Sequence, residues 1–108
     1  MAPNFTEDFG GYRVLKCPAC GTNNVHHTSV EVFEREEDKD GLHVVVEGGS
    51  VRTDTVMKGN PSHRRHGIRL LLSCESCPAL SALTIVQHKG ETEFRAQVID
   101  HTAGWNKD

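Results

Sequence analysis

The chain has 108 residues, a formal net charge of -3 and a pI near 6.1, which fits one domain. Its longest uninterrupted apolar runs are only three residues, Val44–Val46 and Leu70–Leu72. A membrane-spanning helix, which needs about 20 apolar residues, is therefore excluded, and no membrane association is expected.

The opening MAPNFTEDFGGYR carries two acids and no apolar core, unlike a secretory signal. A cytoplasmic location is expected. Residues 1–11 read as a flexible tail ending in Gly10-Gly11, residues 12–100 as the single domain, and residues 101–108 as a second tail. Trp105 in that tail is expected to dock on its own domain. Tyr12 to Lys16 reads as a short strand. In Val25 to Glu34, Thr28, Val30 and Val32 alternate with Ser29, Glu31 and Phe33, the period-2 pattern of a strand. The charged run from Glu34 to Asp40 follows, closed by the turn signal Asp40-Gly41 and expected to form a mobile hairpin tip. Leu42 to Glu47 reads as a strand and Gly48-Gly49 as a turn. Ser50 to Lys58 alternates again, with Val56 out of pattern.

Gly59-Asn60-Pro61-Ser62 breaks the pattern. His66 to Ser73 then runs as a strand that puts Ile68, Leu70 and Leu72 on one face with Cys74. Leu80 to His88 suits a strand or a short helix, Lys89-Gly90 a turn, and Glu93 to Ile99 a last strand. No apolar period of 3.6 residues persists over a helix length. The expected fold is all-β: an antiparallel sheet of six or seven strands joined by hairpins.

All four cysteines lie in two C-x-x-C pairs, Cys17/Cys20 and Cys74/Cys77. Two such pairs in a short cytosolic chain point to one four-thiolate zinc site. A two-residue spacer lets each turn converge both sulfurs on one ion, with backbone N–H groups steadying their charge. Pro18 pre-sets the first turn, and Gly21 suits a positive φ after it. Four thiolates leave no open coordination position, so the single Zn2+ ion is structural. The alternatives are disulfides, a redox pair, and iron on the same ligands. His26 and His27 stand near enough in sequence to substitute for a cysteine.

Cys17-Pro18-Ala19-Cys20-Gly21 with Asn24, then Cys74-Glu75-Ser76-Cys77 with Gln87-His88-Lys89-Gly90 and Thr92, resemble small zinc-ribbon proteins of bacteria and their phages. The resemblance spans Lys16 to Thr92. It departs at Pro78, where Gly is usual, and in the acidic run after Phe33. It implies a zinc-ribbon-like sheet and a metal-stabilised binding module without catalytic activity, such as a phage or mobile-element accessory protein that binds a host protein.

Charge is segregated along the chain. Glu31 to Asp40 holds six acids and two bases, whereas Val51 to Arg69 holds five cations and one acid. Arg52, Lys58, His63, Arg64, Arg65, His66 and Arg69 are therefore candidate contacts for a protein partner or for nucleic-acid phosphates. The third reading is mutual neutralisation of the two blocks. With one Trp, one Tyr and four Phe, aromatic platforms for single strands are scarce. No Ser-His-Asp set or phosphate-cradling loop is present, and no enzymatic activity is expected.

Overall fold

The computed structural model describes residues 11–36 and 39–102, together with the backbone of residues 5–7. Eight strands run through them: β1 (Phe5–Glu7), β2 (Arg13–Leu15), β3 (Val25–Glu34), β4 (Leu42–Glu47), β5 (Ser50–Asp54), β6 (Gly67–Cys74), β7 (Leu80–His88) and β8 (Glu91–Asp100). The fold is all-β, and no helix among the described residues is long and apolar enough to cross a membrane. Leu80 to His88, open between strand and helix from its composition, is a strand.

β1 pairs with β2, Phe5 opposite Leu15. Part of the expected N-terminal tail thus forms a two-stranded sheet. Residues 1–4 and 8–10, and the C-terminal residues 103–108 with Trp105, lie outside the described residues.

The other six strands form one open antiparallel sheet in the order β5-β4-β3-β6-β7-β8. Two meanders build it. β3-β4-β5 runs outward to one edge, and residues 55–66 cross back to place β6 on the other side of β3. The turns Gly48-Gly49 and Lys89-Gly90 both have positive φ at their two positions, the twist that suits two-residue hairpins.

β5 ends at Asp54, not at Lys58 as its alternation suggests. The Asp54 carboxylate accepts a hydrogen bond from the Val56 N–H at 2.8 Å, which bends the chain off the sheet. Val56, out of pattern in the sequence, lies past the strand and has no sheet face to obey.

The register sorts the side chains into two unlike faces. On the front face, one row reads Val51, Val46, Val30, Leu70, Leu83 and Ala96 across all six strands. The next reads Thr53, Val44, Val32, Ile68, Ile85 and Phe94. On the back face, the row between them reads Arg52, Val45, Glu31, Arg69, Thr84 and Arg95.

The crossover covers part of the back face. Gly59 lies over Phe33 and Arg69, and Phe33 is the largest fully buried side chain. Under it sits a charged cluster. His43 stacks on Phe33 with ring centroids 4.3 Å apart. Its Nδ1 is 2.9 Å from Asp54 and its Nε2 3.1 Å from Glu31. Arg69 meets Glu31 at 3.0 Å. Burial opposes charge on His43, but the Asp54 and Glu31 carboxylates overcome it and raise its pKa above the ordinary 6.5.

Gly67, buried at the start of β6, lets the crossover approach. A methyl group there would overlap Asn60 Oδ1 and press on the Pro61 ring at 3.0 Å. Asn60 cannot swing away freely. Its Nδ2 donates to Arg65 O at 2.9 Å, and its Oδ1 accepts from Ser62 N at 3.0 Å. Gly67→Ala is therefore expected to cost about 1–3 kcal/mol, the usual range for overpacking. Chemical denaturation checks this, and an unchanged midpoint would contradict the packing described.

Candidate metal centre

The sheet topology brings the two C-x-x-C pairs together. Cys17 and Cys20 precede β3, and Cys74 and Cys77 close β6. Because β3 and β6 are antiparallel neighbours with Val25 opposite Cys74, both turns emerge at the same end of the sheet. The long sequence gap is the excursion through β4, β5 and the crossover. A hydrogen bond from Glu75 N to Asn24 O, 3.0 Å, ties the second turn to the chain leaving the first.

Each turn is locally closed. In the first, Gly21 N donates to Cys17 O at 2.9 Å, and Cys17 N to Thr22 O at 2.9 Å. Gly21 has a φ of 82°, as a residue ending such a turn requires. The N–H two residues on faces each sulfur. Ala19 N lies 3.4 Å from Cys17 Sγ and Ser76 N 3.3 Å from Cys74 Sγ. The N–H groups of Thr22 and Ala79 serve Cys20 and Cys77 in the same way.

All four sulfurs lie within 4.8 Å of one another. Contacts between the turns are 3.8 Å for Cys17 to Cys77 and 3.6 Å for Cys20 to Cys74. A disulfide needs about 2.05 Å, and all four thiols are free. Four sulfurs each about 2.3 Å from a central ion form a tetrahedron with edges of roughly 3.8 Å. The observed separations match that edge, so the donor set fits one tetrahedral metal ion.

The electrostatics agree. Burial works against the Cys74 thiolate, yet the Thr22 hydroxyl, the Ser76 N–H and the neighbouring thiols bring its pKa down to about 6. The Ala79 N–H favours a Cys77 thiolate, but desolvation and the other sulfurs push its pKa up to about 12. Four negative sulfurs this close repel one another, and a cation at their centre relieves that repulsion.

His26 hydrogen-bonds Glu75, which joins β3 to the second turn. Neither His26 nor His27 belongs to the four-residue group. Thr22 was not singled out from the sequence, although it directly follows the C-P-A-C-G motif. Its hydroxyl lies 3.6 Å from both Cys20 and Cys74 sulfurs, placed to orient them.

The seven candidate contact residues divide. Arg69 is paired with Glu31 on the back face, which realises mutual neutralisation at one point. Arg52 stands on edge strand β5 and Lys58 in the crossover, both exposed. His63, Arg64 and Arg65 line a hollow of 290 Å³ with His88 and Lys89 from the β7–β8 turn. Those last two residues were missed in the sequence because they lie over 20 positions away.

His66 and Arg65 face a second hollow of 360 Å³ with Arg35, Glu36 and Lys39. Arg35 N donates to His66 Nδ1 at 3.0 Å, and its Nη1 to His63 O at 3.4 Å. The base of the acidic turn is thus fastened to the basic loop by Arg35; the tip, Glu37 and Asp38, lies outside the described residues. This cationic end of the sheet is opposite the cysteines. Comparison of the chain with protein-family models, with curated proteins and with solved structures finds no match.

Proposed function

We propose that the chain is a non-catalytic interaction module for a protein partner, its sheet fastened by one structural zinc ion on Cys17, Cys20, Cys74 and Cys77. The observation that carries this reading is the four-sulfur cluster, all within 4.8 Å, with its two contacts between the turns at tetrahedral edge length and an N–H aimed at every sulfur. Four protein ligands saturate the ion, so it braces the fold rather than activating water. Zinc suits this role over iron because it has no redox chemistry and a strong tetrathiolate preference. Native mass spectrometry with affinity capture tests the reading. The expected result is one zinc per chain, and a protein captured by the zinc-loaded chain but not by the chelated one. A metal-free chain that captures the same protein would overturn it.

A second reading rests on a separate observation, the convergence of His63, Arg64, Arg65, His88 and Lys89 on one hollow. Lys89 holds a φ of 49°, a backbone position uncommon for a side-chain-bearing residue. Such an end suits phosphate oxygens, read by charge and not by base identity. Nucleic-acid binding measured against salt concentration checks it. Replacing Arg64 and Arg65 by Ala is expected to weaken binding to all sequences alike and to flatten the salt slope by about two. An unchanged slope would remove this reading.

A further inference from the structure

The four sulfurs pair across the two turns. Cys20 Sγ lies 3.6 Å from Cys74 Sγ, and Cys17 Sγ 3.8 Å from Cys77 Sγ. Exposure divides them: Cys20 is exposed, Cys77 half-buried, and Cys17 and Cys74 are buried. The sulfur most open to solvent therefore has a buried partner beside it on the other turn. The hydrogen bond from Glu75 N to Asn24 O, 3.0 Å, and the Val25–Cys74 register hold the turns side by side with no contribution from an ion.

We propose that a hydroperoxide turns this metal clasp into a covalent one, with Cys20 bonded to Cys74 and Cys17 to Cys77, the ion released, and β3 still joined to β6. This rests on the zinc reading above. The first step occurs at the exposed thiolate, since reactivity follows thiolate character and access. Cys20 Sγ attacks one peroxide oxygen. An S–O bond forms, the O–O bond breaks and hydroxide leaves, so Cys20 becomes a sulfenic acid. Cys74 Sγ then attacks that sulfur. The S–S bond forms, the S–O bond breaks and a second hydroxide leaves. Two thiolates have lost two electrons, and one peroxide has gained them.

With two ligands consumed, Cys17 and Cys77 no longer complete a four-sulfur site. They pair in the same way with a second peroxide. The choice of partners decides what happens to the fold. Bonds within a turn, Cys17 to Cys20 and Cys74 to Cys77, would leave β3 and β6 unfastened at this end. The bonds between turns span 54 and 60 residues, and a cross-link restrains the unfolded chain more as its loop lengthens. The oxidised chain therefore keeps its sheet without the ion.

Tryptic peptide mapping of the zinc-loaded chain reads the pairing directly. Cleavage after Lys16, Arg35, Arg69 and Lys89 puts Cys17 and Cys20 on one peptide, residues 17–35, and Cys74 and Cys77 on another, residues 70–89. The chain is treated with hydrogen peroxide, and remaining thiols are blocked with N-ethylmaleimide before digestion. The expected result is that the two peptides are joined, one zinc is released per chain, and the β-sheet circular dichroism persists until dithiothreitol and a chelator are added together. Separate peptides, each lighter by two hydrogens, would show bonds within the turns and overturn the proposal. Zinc release with loss of the sheet would also overturn it, as would four thiols left intact by peroxide. A chain without zinc as purified overturns the zinc reading and this switch together, whereas bound zinc followed by separate peptides overturns the switch alone.

Discussion

Cys74→Ser is expected to abolish metal binding and to leave the chain without its six-stranded fold. Zinc bound by small tetrathiolate sites contributes on the order of 10–16 kcal/mol at neutral pH, while the net stability of a domain is only about 5–15 kcal/mol. This sheet has few large side chains out of water, Phe33 being the largest fully buried one. An ion on the four cysteines would also join β3 to β6, the pairing that unites the two meanders. Circular dichroism and zinc content of the variant, each against wild type, check this. A folded Cys74→Ser chain would contradict it. Thr22→Val is the graded comparison. It removes only the hydroxyl 3.6 Å from two sulfurs. A fall in zinc affinity of about 10-fold with the fold retained is expected, as for other groups that orient metal ligands.

The second large effect is expected at His43. Its ring is only 12% exposed and lies between two carboxylates and the Phe33 face. His43→Ala removes both charge-assisted hydrogen bonds and the stack, at an expected cost of about 2–3 kcal/mol. The pH dependence has a definite sign. The folded-state pKa of His43 is raised above 6.5, so its contribution is full below that value and is lost as pH rises through the folded value. Melting temperature is therefore expected to fall as the solution is made alkaline from about pH 6. Two other groups moderate the loss: Glu31 keeps Arg69, and Asp54 keeps the Val56 N–H. The Val56 N–H, with His43, lowers the Asp54 pKa, so its contribution is lost at the acid end, as pH falls through its folded value. In His43→Gln the alkaline loss should flatten. Parallel melting curves for wild type and His43→Gln between about pH 6 and 9 would contradict the cluster's assigned role.

Much of this was legible in the sequence where the signal is local. Alternation marks β3 from Val25 to Glu34 and puts Ile68, Leu70 and Leu72 on one face with Cys74. The Gly48-Gly49 and Lys89-Gly90 turns follow from residue type, and the clustering of the four cysteines from C-x-x-C spacing alone. What escaped depends on contacts between distant segments. Asp54 reads as one more outward residue of an alternating strand, yet its grip on Val56 N ends β5. His43 reads as a strand residue because nothing near it in sequence announces Glu31 and Asp54. Seven basic or histidine residues from Arg52 to Arg69 read as one stretch, but the strand order places Arg69 against Glu31 and brings His88 and Lys89 to His63 instead. Which part of the back face is covered is fixed by where residues 55–66 cross, and pattern alone does not encode that path.

The most direct measurement is X-ray absorption at the zinc edge of the chain as purified. The account predicts a single shell of four sulfur atoms at about 2.3 Å and no nitrogen or oxygen neighbour. A shell containing nitrogen or oxygen, with fewer than four sulfurs, would contradict the assignment of Cys17, Cys20, Cys74 and Cys77 to one closed site.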